Sequence, residues 1–179
     1  MVQANDGELV SRALCGDREA FGALLERHYD FIYRVARRQL GSAADAEDIA
    51  QDVCVALVDK LRQFTGRSRF STWLASIVIN RCRDALRRRR SSQGLVDKYG
   101  VLRAMENADA ADDERRSTWL AEALVSLDPS VRETVLLVVG EDMSHGEAAE
   151  ALGCAESTVS WRMHVAKKRL RARLEQDDD

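Results

Sequence analysis

Hydrophobic residues recur at helical spacing along most of the chain, with short polar interruptions between the stripes. The first stripe lies within residues 7–40 and predicts an opening helix or helix pair. Its members are Phe21, Leu24, Leu25, Tyr29, Ile32 and Val35. Gly41 and Ser42 then interrupt the pattern, and a helix starting near Asp45 is expected to bury the stripe from Ile49 to Leu61. No pair of β-strands is indicated, so an almost entirely helical chain is expected.

Three further helical segments follow. One is expected from about Ser71 or Thr72 to Arg90, and residues 91–118 form a polar, acidic connector in which a short helix could form. A second unit begins with an amphipathic helix from Trp119 to Leu127, and Asp128 with Pro129 marks the start of another. We therefore predict an all-α fold of two small helical domains, residues 1–90 and 119–174, joined by a linker at 91–118 and followed by an acidic tail at 175–179.

The most specific local pattern is SHGEAAEALGCAESTVSWRMHVAKKRL, residues 144–170. Ser144 and Glu147 have the spacing of a capping box, and Gly153 supplies a turn. The stripe that follows, from Val159 through Met163 and Ala166 to Leu170, predicts a longer helix. This is a helix-turn-helix pattern, whose second helix enters the major groove of DNA. The alternative is a pair of packed helices with a solvated basic face.

Charge is separated along the chain, although the formal net charge is only −3. Residues 67–90 carry eight arginines and a single acid, Asp84, and residues 162–173 carry four arginines and two lysines with no acid. Residues 106–114 carry five acids and no base. Aromatic residues lie among the arginines of the first basic segment, a combination that suits single-stranded or melting DNA. The alternative interpretation is an exposed basic helix with a buried tryptophan and no DNA contact.

Several classes of protein are disfavoured. No signal-peptide pattern and no membrane-length apolar run is present, so a cytoplasmic protein is expected. The four cysteines stand far apart without a CxxC pair, which favours buried or semi-buried thiols over a zinc site or disulfides. The acids form no convergent cluster, and we expect no catalytic activity, no metal and no cofactor.

Three features occur in one order: the acidic helix AEDIAQDVCVALVDKLRQF, the basic stretch TGRSRFSTWLASIVINRCRDALRR, and the helix-turn-helix pattern after the connector. In this order they closely resemble the bacterial extracytoplasmic-function sigma factors over nearly the whole chain. The resemblance implies two domains, called region 2 and region 4, that direct core RNA polymerase to promoters. It also implies control by an anti-sigma factor.

The resemblance assigns three groups of contact residues. The clamp helices of the large polymerase subunit would be met by Glu47, Asp48, Gln51, Asp52 and Leu57. The melted minus-ten element would be held by Arg67, Arg69, Phe70, Ser71, Thr72, Trp73, Asn80, Arg81, Arg83, Asp84, Arg87 and Arg88. The minus-thirty-five element would be read by Glu156, Ser157, Thr158, Ser160, Trp161, Arg162, His164, Lys167 and Lys168. The polymerase flap would meet apolar surface near Leu136 and Leu137.

Two departures from the family pattern limit what can be transferred. Ala155 stands where relatives commonly have proline, and TVSWR replaces TVKSR, so that Ser160 and Trp161 differ from the usual residues. Promoter preference is therefore not inferred. A stand-alone helix-turn-helix regulator is the alternative function, but it leaves the acidic helix and the aromatic and arginine-rich stretch unexplained. A metal-dependent nuclease is the remaining alternative, and it lacks a motif.

Overall fold

A computed structural model describes residues 4–92, 119–120, 122–124 and 126–177 of the 179-residue chain, and no strand occurs among them. Within the described residues seven α-helices are delimited: α1 (Asp6–Leu14), α2 (Arg18–Leu40), α3 (Ala43–Lys60), α4 (Phe70–Ser92), α5 (Pro129–Val138), α6 (His145–Leu152) and α7 (Glu156–Asp177). A 3-10 turn, Leu61–Gln63, follows α3. The all-helical prediction is confirmed.

Side-chain caps fix the helix starts in the N-terminal unit. The Asn5 side chain accepts a hydrogen bond from the Glu8 N–H, and the Asp17 side chain accepts one from the Ala20 N–H, so the opening segment is a helix pair. Gly41 ends α2 in the left-handed conformation that glycine adopts without a Cβ penalty. Ser42, not Asp45, caps α3, and Asp45 lies in its first turn.

The N-terminal unit is built on the packing of α2 against α3 and α4, with α1 along α2. Leu24, Ile32, Val53, Leu74 and Val78 form the centre of this core and are fully buried. Ile49, Val53, Leu57 and Leu61 lie on the buried face of α3 and its turn, as the stripe predicts. Helix α4 starts at Phe70 and extends beyond Arg90 to Ser92, so it is longer than expected at both ends.

The C-terminal unit follows the sequence pattern closely. Residues 119–120, 122–124 and 126 are helical, and Pro129 occupies the first turn of α5. Ser144 and Glu147 form the capping box at α6, and Gly153 makes the turn into α7 with a φ of 67°. Val159, Met163 and Ala166 of the predicted α7 stripe are buried, and Leu170 at its end is half-buried.

The two units pack together, α4 against α6 and α2 against α5. Most of the predicted connector, including its short helix and the acids at 106–114, lies outside the described residues. Helix α7 continues through Asp177, into the first residues of the predicted acidic tail.

Candidate nucleic-acid and polymerase interfaces

The aromatic residues before and within α4 form a packed cluster. The ring centroids of Phe64, Phe70 and Trp73 lie 5.3 to 5.5 Å apart, and His28 lies 4.9 Å from Phe70. Phe70 is 3% exposed and Thr72 is also buried. Both side chains are therefore covered in this arrangement, and Phe70 packs the start of α4 against His28 of α2. Trp73 is half-buried.

A basic surface runs along α4 and the loop before it. Arg67, Arg69, Arg87 and Arg88 are exposed, together with Asn80. Ser71, Arg81, Arg83 and Asp84 are half-buried. Asp84 pairs with Arg87 one turn away, so it orients one arginine of the surface. The surface presents several guanidinium groups that can bind phosphates.

Two arginines of this basic surface already have carboxylate partners in the C-terminal unit. Arg83 donates to both oxygens of Glu133, from Nε at 3.1 Å and from Nη2 at 2.7 Å. This hydrogen bonding raises the pKa of Arg83. Arg69 lies 3.1 Å from a carboxylate oxygen of Glu147.

Helix α3 has an exposed face of mixed character. Glu47, Asp48, Gln51 and Asp52 are exposed, as the sequence predicts for an acidic face. Leu57 is 1% exposed and packs in the core, so it does not lie on this exposed face.

Two apolar side chains that sequence reasoning did not select lie on this exposed face. Val55 and Val58 are 72% and 62% exposed. Val55 follows Asp48, Gln51 and Asp52 by seven, four and three residues, and Val58 follows Gln51 by seven and Val55 by three, which places them on the same side of the helix. We call the set Asp48, Gln51, Asp52, Val55 and Val58 the α3 stripe. The sequence alone places these two valines on the polar face of α3, so their exposure could have been predicted.

The helix-turn-helix presents the start of α7 to solvent. Glu156, Ser157, Ser160, Trp161, His164, Lys167 and Lys168 are exposed, and Thr158 is half-buried. Trp161 is 62% exposed, so it does not pack in the core. His145, at the start of α6, lies with its Nδ1 2.9 Å from the Ser160 hydroxyl. His145 was not predicted as a site residue, because only the folded turn brings it to α7.

Arg162 differs from the expected outward orientation. It is half-buried, and its Nη1 lies 3.5 Å from the Thr134 hydroxyl and 3.9 Å from the Cys154 sulfur. Its side chain therefore packs α7 against α5 in this arrangement. Leu137 is also buried, whereas Leu136 is half-buried and Val139 is exposed, so the apolar surface near the end of α5 excludes Leu137.

The cysteines have different environments. Cys82 is buried, and burial raises the pKa of its thiol to about 12, with the Glu133 charge adding to the shift. Cys54 and Cys154 are half-buried, but Cys15 is exposed, which corrects the expectation for that thiol. Across the described residues there is no cluster of three or more potential metal ligands. None of the helices in that part of the chain is long and apolar enough to span a bilayer.

Comparison with known proteins places both units in one superfamily. The family model for Sigma-70 region 2 matches residues 24–92, and that for Sigma-70 region 4 matches residues 117–170. The ECF RNA polymerase sigma factor SigM of Mycobacterium tuberculosis is 33% identical over 174 residues, which cover 96% of this chain and 85% of that protein. The chain belongs to the ECF RNA polymerase sigma factors.

A second relative is similar to this sigma factor over nearly its full length. The RNA polymerase sigma factor CnrH of Cupriavidus metallidurans is 31% identical, with 97% of this chain and 96% of that protein covered. A solved structure of CnrH in complex with the cytosolic domain of CnrY matches with a TM-score of 0.71 at 28% identity, covering 94% of this chain and 96% of that one. Region 2 thus includes most of α2 with α3 and α4, and region 4 includes α5, α6 and most of α7.

Proposed function

We propose that this sigma factor directs core RNA polymerase to promoters through two separate DNA-binding surfaces, one on each domain. The domain limits are residues 1–90 and 119–174, with a linker at 91–118 and the tail at 175–179. The observation that carries the proposal is the presence, on one chain and in this order, of the arginine-rich α4 and an exposed helix-turn-helix. Both surfaces are proposed to bind other molecules, and the chemistry of transcription belongs to the polymerase.

The α3 stripe, together with Glu47, is the proposed docking surface for the clamp helices of the large polymerase subunit. Carboxylates and exposed valines on one helix face suit a basic helical partner with apolar side chains of its own. In region 4, the exposed Val139 with Leu136 is the proposed contact for the polymerase flap. Leu57 and Leu137 are omitted because both are buried.

Region 2 is proposed to hold the melted minus-ten strand. Arginine donors along α4 would bind the backbone, and the half-buried Trp73 would contact an unstacked base. The proposed residues are Arg67, Arg69, Ser71, Trp73, Asn80, Arg81, Arg83, Asp84, Arg87 and Arg88. The packed ring of Phe70 contributes indirectly, since it fixes the position of Trp73.

Region 4 is proposed to read the minus-thirty-five element with the start of α7 in the major groove. The first residues of a recognition helix meet base edges, and basic residues further along meet phosphates. The proposed residues are Glu156, Ser157, Thr158, Ser160, Trp161, His164, Lys167 and Lys168.

An anti-sigma factor is the proposed regulator. Family members are commonly controlled in this way, and CnrH, which matches this chain over nearly its whole length, was solved with the cytosolic domain of CnrY. Because the partner enzyme is RNA polymerase, the proposed location is the cytoplasm.

A direct test measures promoter binding with and without core polymerase. The free chain should bind duplex promoter DNA weakly, because its net charge is negative, and the same DNA should be bound specifically when core polymerase is added. Mobility-shift and pull-down assays report both quantities. Nanomolar, sequence-specific binding by the free chain at physiological salt, with no capture of core polymerase, would support the stand-alone regulator instead.

A further inference from the structure

Helix α1 precedes residues 24–92, the part of the chain that the region 2 family model matches, so that match assigns it no role. The helix packs along α2 and also contacts the 3-10 turn Leu61–Gln63, which leads directly into Phe64. Its residues Leu9 and Val10 are buried in the same core as α2 and α4. Helix α1 is therefore folded onto the N-terminal core next to the elements that carry the aromatic cluster.

Asp6, in the first turn of α1, contacts two neighbouring residues of α2. Arg27 donates to its Oδ1 at 2.8 Å, and His28 Nε2 lies 3.0 Å from its Oδ2. Arg27 is at the surface, whereas His28 is only 8% exposed. Desolvation acts to raise the pKa of Asp6, but the contacts with Arg27 and His28 outweigh it and lower that pKa. The carboxylate that faces the buried histidine is therefore ionised at neutral pH.

His28 connects this carboxylate to the aromatic cluster. Its ring centroid lies 4.9 Å from that of Phe70. The Phe70 ring in turn lies 5.3 Å from Phe64 and 5.5 Å from Trp73, the residue proposed to contact an unstacked base. Rings packed at these separations restrict one another, because close-packed side chains leave little room for other orientations. A contact that fixes His28 therefore fixes, through Phe70, the position of Trp73.

Burial alone does not define the orientation of the His28 ring. The torsion about the last bond of a histidine side chain is broad and roughly two-fold, so a ring can turn over within the same space. A carboxylate next to one ring nitrogen favours a single orientation, the one in which Nε2 faces α1. Asp6 thus supplies the polar contact that selects this orientation.

We propose that Asp6 is a positioning residue for promoter melting. It acts through His28 and the aromatic cluster to hold Trp73 where an unstacked base of the minus-ten element reaches it. This rests on the proposed function, because it requires that Trp73 contacts the melted strand. Initial binding of duplex DNA uses the exposed arginines of α4 and does not depend on Asp6. The step that depends on Asp6 is the conversion of bound duplex to melted strand.

The test measures melting by core polymerase carrying each sigma variant. The probe is a promoter fragment that the wild-type enzyme selects from a randomised library, with 2-aminopurine in the non-template strand of its minus-ten element. Stopped-flow fluorescence at increasing enzyme concentration separates the affinity of the initial complex from the rate of melting.

The variants separate the path through His28 from simple anchoring of α1. Asp6→Ala removes the carboxylate, and His28→Phe keeps a ring against Phe70 without a group for the carboxylate. Arg27→Gln is the matched control, because it removes the exposed partner of the same carboxylate. Glu8→Gln is the second control, and it removes one negative charge from an exposed site in the first turn of the same helix.

Asp6→Ala should slow melting by roughly two- to tenfold, the range that corresponds to one aromatic pair, and leave the affinity of the initial complex unchanged. His28→Phe should be as slow, and adding Asp6→Ala to it should have no further effect, since the residue through which Asp6 acts is gone. Arg27→Gln and Glu8→Gln should melt the promoter at the wild-type rate. An unchanged rate in Asp6→Ala, an equal loss in Arg27→Gln, or additive losses in the double variant would overturn the positioning role.

Trp73→Ala distinguishes failure of this inference from failure of the proposed function. Slow melting in Trp73→Ala together with a wild-type rate in Asp6→Ala would overturn the positioning role and leave the proposed function standing. A wild-type rate in Trp73→Ala would overturn the assignment of Trp73 to the melted strand, and the role of Asp6 with it. Circular dichroism of the free chains should show the same helix content in every variant, so that slow melting is not a loss of folding.

Discussion

Removing the two exposed valines of the α3 stripe should weaken polymerase binding without unfolding the domain. The change is the double variant Val55→Ser with Val58→Ser, chosen because serine and valine have similar helix propensities. Full burial of a valine contributes about 1.5 kcal/mol, and these side chains are 72% and 62% exposed in the free chain. Covering them should therefore contribute about 1 kcal/mol each, so their loss should weaken the complex about thirtyfold.

The assay is titration of labelled core polymerase with each variant, alongside thermal unfolding of the free chain. Leu14→Ser is the matched control, because Leu14 is an exposed apolar residue on α1, outside the stripe. Leu57→Ala is the contrasting variant, and it should lower the free energy of unfolding by about 2 to 5 kcal/mol because Leu57 is in the core. Wild-type polymerase affinity in the double serine variant would refute the docking surface. Destabilisation as large as that of Leu57→Ala would refute the assignment of the valines to free surface.

Three other outcomes are expected. Trp161→Ala should lower the melting temperature by less than about 4 °C while weakening binding to the minus-thirty-five element or to an inhibitor; a large stability loss with binding intact would contradict its exposure. At pH 8 a thiol reagent should label the exposed Cys15 quickly, whereas Cys82, with its pKa raised to about 12, should react only on unfolding, as mass spectrometry can follow. His145→Ala should free the Ser160 hydroxyl and relax base preference at one position of the minus-thirty-five element, measured by binding to a promoter library, whereas His145→Asn should partly retain it.

Helix boundaries could be predicted closely where the chain marks them with a specific residue. Pro129 after Asp128, the capping box of Ser144 and Glu147, and the turn at Gly153 all fall where the sequence places them. The start of α3 was misplaced by a few residues because Ser42 and Asp45 are both good capping residues, and the sequence alone does not rank them.

The candidate site could be predicted as segments, but not side chain by side chain. Phe70 lies among arginines, as a base-stacking residue would, yet Phe64, Trp73 and His28 surround it. Two of these neighbours come from other elements, so local periodicity could not reveal the cluster. For Leu57 the periodicity was informative, since the buried stripe of α3 already included it, and its assignment to the polymerase came from the resemblance alone.

The partners of the arginines were beyond sequence reasoning, because they depend on how the two domains meet. Arg83 lies 50 residues from Glu133, and Arg34 lies 107 residues from Glu141. An excess of arginine on α4 predicts attraction to phosphates. Where an arginine already has a carboxylate partner, however, the strength of DNA binding depends on how the binding free energy of a phosphate compares with that of the carboxylate at the same N–H groups.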